Sequence, residues 1–165
     1  MNPIVPPASP GPDARPVDVA FVRQEARLHY RQSLTPATRD SVGLDLCACL
    51  ETEEALIPAG ARLRVPTGIS VQPHVPGVAG FVYSRSGLGA CEGLVVAQGV
   101  GVIDPDYTGE IFVFLLNTSG EERRIKNGDR IAQLVFQPCV RPLWREVAAL
   151  APTDRGSGGF GHTGR

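Results

Sequence analysis

Gly99-Val100-Gly101-Val102-Ile103-Asp104-Pro105-Asp106-Tyr107-Thr108-Gly109-Glu110-Ile111 is an apolar run, a polar turn and a second apolar run. The pattern reads as a β-hairpin, with glycines where a planar ligand could approach bare backbone N–H and C=O groups. Asp104 falls where the first strand ends. Taken alone, the segment leaves a second reading open, in which Asp104 and Asp106 form the turn, Tyr107 caps the core and the glycines relieve bends.

Outward from this stretch the same grammar repeats. Short apolar or alternating runs cover Val17–Val22, Leu44–Cys49, Arg62–Gln72, Val78–Tyr83, Leu94–Gln98, Glu110–Asn117, Arg130–Phe136 and Leu143–Val147, separated by Gly, Pro and Asn. With 19 glycines and 15 prolines in 165 residues, against a usual combined share of roughly 12%, long helices are disfavoured. The expected fold is all-β, a jelly-roll-like double sheet, with at most a turn or two of helix opening at Ser86-Gly87-Leu88-Gly89-Ala90. No period of 20–50 residues suggests a solenoid or propeller. Residues 1–16 hold six prolines and read as a mobile arm, residues 17–151 as the β domain, and the glycine-rich residues 152–165 as a flexible C-terminal lid.

A net charge of −1 gives no sign of a nucleic-acid-binding polycation. No apolar window is long enough for a membrane span and no secretory signal opens the chain, so no membrane partner and a cytoplasmic location are expected. Cys47, Cys49, Cys91 and Cys139 fit neither a zinc ribbon nor a dense disulfide framework, and are expected as reduced, mostly buried thiols. His29, His74 and His162 are far apart in sequence, so a metal held directly by protein ligands is not expected.

Three further stretches could carry chemistry. Tyr83-Ser84-Arg85-Ser86-Gly87-Leu88-Gly89 offers a guanidinium fork, a hydroxyl and free amides to phosphate oxygens. In Gly128-Asp129-Arg130-Ile131-Ala132-Gln133-Leu134-Val135-Phe136, Gln133 interrupts an apolar run and faces either solvent or a site. In the tail, Arg155 and Phe160 could close with the ring over a base and the guanidinium on phosphate, or belong to a frayed terminus.

In order, Ser41-Val42-Gly43-Leu44-Asp45-Leu46, Arg85-Ser86-Gly87-Leu88, the segment Gly101 to Glu110, Gly128 to Gln133, and Arg155 to Gly164 resemble the five motifs of trimeric dUTP pyrophosphatases (dUTPases). The resemblance implies a homotrimer whose three sites each draw on all three subunits, and hydrolysis of dUTP to dUMP and pyrophosphate with Mg²⁺. It implies that Asp104 is the base that aligns and deprotonates the attacking water, and that Tyr107 packs on the deoxyribose and excludes a 2′-hydroxyl. Backbone groups of Gly101, Val102, Ile103 and Phe112 would pair with uracil, with the Gln98 side chain reaching toward the base. Arg85, Ser86 and Gly87 would bind the phosphate chain. Asp45 and Gln133 would meet the metal through waters only. Phe160 would stack on uracil while Arg155, His162 and Thr163 close over the terminal phosphates.

Three positions depart from the family pattern. Gln98 stands where many bacterial members have Asn, His162 where Ser is commonest, and Ser84 where a Pro often precedes the Arg, a change expected to loosen that turn. Two rival readings are a dCTP deaminase and a non-catalytic nucleotide-sensing trimer. The deaminase family needs a Glu on the strand after the hairpin, where this chain has Phe114. The non-catalytic reading would expect Asp104, Tyr107 or the tail to be missing, and all are present.

Overall fold

The computed structural model describes residues 15–31, 34 and 41–159. These described residues build eleven strands: β1 Val17–Phe21, β2 Gly43–Cys47, β3 Glu54–Ile57, β4 Arg62–Pro66, β5 Ile69–Pro73, β6 Val78–Tyr83, β7 Leu94–Val96, β8 Gly101–Ile103, β9 Phe112–Asn117, β10 Arg123–Lys126 and β11 Arg130–Pro138. One short helix, α1 Ala26–His29, and one π-helical turn, Gly87–Cys91, interrupt them. No helix among the described residues is long and apolar enough to cross a membrane.

Antiparallel ladders join the strands as β1-β5, β10-β3, β2-β11-β6-β8 and β4-β9-β7. All four contribute inward residues to one core, which includes Leu46, Val82 and Leu134, Val65, Val113 and Leu115, Ile69 and Val71, and Ile57 and Ile125. Alternation explains the choice of faces. Along β9, Val113, Leu115 and Asn117 point inward while Phe112, Phe114 and Leu116 are more exposed. Asn117 is buried without loss because its amide donates to Ile57 O and Glu121 O, both at 2.7 Å, and accepts from Ser119.

Four sequence readings need correction. The Gly99–Ile111 segment is not a hairpin, since β8 pairs with β6 and β9 pairs with β4 and β7, so residues 104–111 cross between sheets. The run Arg62–Gln72 divides at Thr67-Gly68, where Gly68 (φ +72°) turns the chain from the partner β9 to the partner β1. Leu143–Val147 forms no strand, and Leu143 and Trp144 are 98% and 88% exposed. The cysteines are all free, but only Cys47 and Cys49 are buried; Cys91 is exposed and Cys139 half-buried.

A β-bulge in β11 positions the site. Arg130 opposes Cys47 and Ala132 opposes Leu46, so Ile131 is the extra residue. Beyond it the register places Gln133 opposite both Asp45 of β2 and Tyr83 of β6.

Candidate functional site

Two concavities hold most of the residues singled out from the sequence. The first is a slot of about 320 Å³ where β8 and β9 diverge, lined by Val82, Gln98, Gly101–Ile103, Asp104, Tyr107, Glu110 and Phe112–Phe114. β8 is an edge strand bonded on one side to β6, and β9 meets β7 only from Leu115 onward. Backbone of Gly101–Ile103 and Phe112–Val113 therefore faces the slot without a ladder partner on that side. Such an edge can pair with a planar donor–acceptor ligand as it would with another strand.

Asp104 sits exposed at the end of β8, and its carboxylate has no partner among the described residues. Its carbonyl accepts from Tyr107 N at 3.0 Å. The Tyr107 hydroxyl donates to Glu110 O at 2.8 Å, which folds the half-exposed ring back over Gly109. A Cβ on Gly109 would lie 2.6 Å from that hydroxyl oxygen and 2.7 Å from the ring carbon bearing it. Gly109→Ala should therefore push Tyr107 off its seat with little change in melting temperature. If Tyr107 screens the sugar, the preference for a deoxyribonucleotide over its ribonucleotide falls by about tenfold, measured as a ratio of kcat/KM values. An unchanged ratio would show that the ring position is irrelevant.

The second concavity is a polar cleft of about 950 Å³ lined by His29, Ser41, Asp45, Arg85, Ser86, Gly87, Arg130 and Gln133 among others. Arg85 Nε donates to Asp45 Oδ1 at 2.8 Å and Arg130 Nη1 to Asp45 Oδ2 at 3.1 Å, while Arg85 Nη1 also donates to Arg130 O at 2.9 Å. Two guanidiniums on one carboxylate leave an excess of positive charge, and the shared Asp45 aims both. Gln133 faces the cleft, not bulk solvent. Its amide nitrogen donates to Ser84 O at 3.1 Å, and its Oε1 lies so close over Gly43 that a Cβ there would sit 3.0 Å away. Gly87 is open, with nothing within 4 Å of where a Cβ would stand.

Ser84 tethers its turn through its side chain. Its hydroxyl accepts from Val96 N at 2.8 Å and ties the end of β6 to β7. His29, Arg130 and Glu110 are additions to the expected lining. Arg130 and Glu110 lie inside the quoted motifs, whereas nothing local in the sequence marks His29. The His29 ring rests over Gly128 (φ +89°), where a Cβ would meet Nδ1 at 2.9 Å, and its buried Nε2 has no hydrogen-bond partner among the described residues.

The linings of slot and cleft have no residue in common. Asp104 with the slot and Arg85 with the cleft therefore stand in two separate concavities. Arg155 joins neither lining; its Nε donates to Gly158 O at 3.0 Å within an exposed turn of the tail. Phe160, His162 and Thr163 lie outside the described residues.

Among the described residues no group of three or more His, Cys, Asp or Glu could hold a metal directly. Asp45 keeps spare acceptor capacity. Each of its oxygens accepts one guanidinium bond, and a carboxylate has about four acceptor positions, which leaves room for water donors.

The dUTPase family model matches residues 29–164. A deoxyuridine 5′-triphosphate nucleotidohydrolase of Desulfitobacterium hafniense is 44% identical over 149 residues, covering 90% of this chain and 95% of that protein. This chain belongs to the dUTPase family. The fold agrees with solved dUTPases. The Staphylococcus bacteriophage 80alpha dUTPase with dUPNHPP superposes with a TM-score of 0.76 at 22% identity, over 92% of this chain and 100% of that one. A mutant dUTPase from phage phi11 of S. aureus, whose structure concerns coordination of a structural Mg(II) ion, gives 0.68 at 21% identity over 83% and 99%.

Proposed function

We propose that the chain hydrolyses dUTP to dUMP and pyrophosphate by attack of water on the α-phosphorus, as a cytoplasmic homotrimer of jelly-roll subunits. The observation that carries this reading is Asp104, a carboxylate without a partner among the described residues, at the mouth of a slot edged by unpaired backbone and next to Tyr107. The slot suits uracil, whose edge can pair with Gly101–Ile103 and Phe112, with Gln98 beside the base. The Tyr107 ring, held by its own loop, packs on the deoxyribose and leaves no space for a 2′-hydroxyl. Arg85, Ser86 and Gly87 then hold the phosphate chain. Asp104 takes a proton from the water it orients, so the residues act chiefly by positioning and charge neutralisation.

Mg²⁺ would be held by phosphate oxygens, with Asp45 and Gln133 meeting it through waters, and when bound it would supply neutralisation of phosphate charge. The structural Mg(II) ion of the phi11 relative supports this choice of cation.

The separation of slot and cleft supports a homotrimer with shared sites. So does the apolar segment after β11, where Val140, Leu143, Trp144 and Leu150 are each at least 88% exposed and call for a covering surface. The tail from 152 onward acts as the lid, with Arg155, His162 and Thr163 over the phosphates and Phe160 on the base. Four free thiols suit a reducing cytoplasm. Deamination is disfavoured because Phe114 lines the slot where that chemistry would need a proton carrier.

The test is to supply dUTP, UTP, dCTP and dTTP separately with Mg²⁺ and analyse the products. The expected result is dUMP and pyrophosphate from dUTP with little turnover of UTP. Comparable UTP turnover, or dUTP formed from dCTP, would contradict the reading.

A further inference from the structure

We propose that the Arg23–Glu110 ion pair positions Tyr107, and so sets how strictly the site refuses a ribonucleotide. This deepens the reading that Tyr107 screens the sugar and rests on it. Residues 104–110 lie in no ladder as the chain crosses from one sheet to another, and Ile111 ends the crossing with its N–H on Ile69 O at 2.9 Å and its carbonyl accepting from Thr67. The two hydrogen bonds that anchor Tyr107 lie inside this same loop, its N–H on Asp104 O and its hydroxyl on Glu110 O. The loop must therefore be fixed from outside, beyond its hold at Ile111, for the ring to have a definite place.

Glu110 supplies that fixture. Its carbonyl holds the Tyr107 hydroxyl, while its carboxylate Oε1 accepts from Arg23 Nε at 2.7 Å and from Gly68 N at 2.8 Å. The Glu110 side chain is only 13% exposed, so solvent screens these bonds weakly. The far end is equally constrained. Gly68 O accepts from the N–H groups of both Val22 and Arg23, and a Cβ at Gly68 would lie 2.5 Å from that of Ala26. Backbone and side chain of Arg23 are thus both tied to the turn that carries Gly68. The hydrogen bond to Glu110 also raises the Arg23 pKa. Glu51 lies 3.8 Å from Arg23 Nη1 but is 90% exposed and contributes little.

Loss of Arg23 would leave the Glu110 carboxylate partly buried with one backbone donor, and Glu110 itself lines the slot. Its relaxation would carry the carbonyl that holds Tyr107 with it. A pair that only stabilised the fold would change melting without changing substrate choice.

The experiment compares wild type, Arg23→Ala, Arg23→Lys and Gly109→Ala by the dUTP:UTP ratio of kcat/KM. In parallel, the protein is labelled with 3-fluorotyrosine and the Tyr107 ¹⁹F signal is assigned from Tyr107→Phe. Arg23→Ala should lower the ratio by about tenfold, as direct displacement by Gly109→Ala does. Arg23→Lys, which keeps the charge but not the Nε fork, should fall between. The ¹⁹F signal should shift or broaden in the same order without substrate. A lowered melting temperature with unchanged ratio and unchanged ¹⁹F signal would overturn the proposal. If Arg23→Ala does not fold, Arg23→Lys decides by the same two readouts. A wild-type protein inactive on dUTP would contradict the functional reading, and the ¹⁹F comparison would still decide whether Arg23 governs Tyr107.

Discussion

Asp104→Asn is expected to lower dUTP turnover by about 10²-fold or more while leaving dUTP affinity nearly intact. The amide keeps the shape of the side chain at the end of β8 but cannot accept the proton of the attacking water. No described residue bonds the Asp104 carboxylate, so the substitution breaks no structural contact and the melting temperature should hold. Its backbone carbonyl, which receives Tyr107 N, is unaffected. Single-turnover kinetics beside equilibrium binding separate the two effects. Near-normal turnover would reduce Asp104 to a turn former.

Putting Asp at both Leu143 and Leu150 should convert the protein to monomers and remove at least about 10²-fold of its activity. These side chains are 98% and 88% exposed in one protomer. Covering each would contribute about 1.5–3 kcal/mol, and three protomers multiply that loss, while every 1.4 kcal/mol is about tenfold in association. On the shared-site reading the activity falls with the mass, because a working site then needs the slot of one protomer and the cleft of another. Trp144, the single tryptophan and 88% exposed in the protomer, reports the event: its emission should be blue-shifted in the wild-type assembly and red-shifted in the variant. A variant that still sediments as the wild type with full activity would show that this segment covers nothing.

Much of the fold is legible in the sequence because its strands alternate plainly; Val78–Tyr83 is β6 to the residue. What the sequence hides has physical causes. The segment around Asp104 resembles a hairpin because apolar runs flank a polar turn whether the two runs pair with each other or with separate sheets. β3 and β10 leave little trace because each commits a single fully buried residue, Ile57 or Ile125, amid exposed or charged neighbours. Leu143–Val147 has strand-like composition but no ladder partner among the described residues. The motif residues Asp104, Tyr107, Arg85 and Gln133 are readable, and the structure gathers them into two concavities. The double clamp on Asp45 and the Arg23–Glu110 pair are not, since their members lie 40, 85 and 87 positions apart and meet only through the sheets. The role of Ser84 is hidden for the same reason, because its hydroxyl's partner, Val96 N, belongs to another strand.

The most direct test of shared sites is complementation between Asp104→Asn and Arg85→Ala chains, each expected to be nearly inactive alone. If a site takes its slot from one protomer and its cleft from another, every mixed trimer contains one intact pair. Random assembly of equal amounts makes roughly three quarters of trimers mixed with one site in three active, or roughly a quarter of wild-type activity. The account predicts that recovery after co-refolding, with mixed trimers confirmed by mass. Mixed trimers no more active than the mean of their parents would place slot and cleft of each working site in the same protomer, and would contradict it.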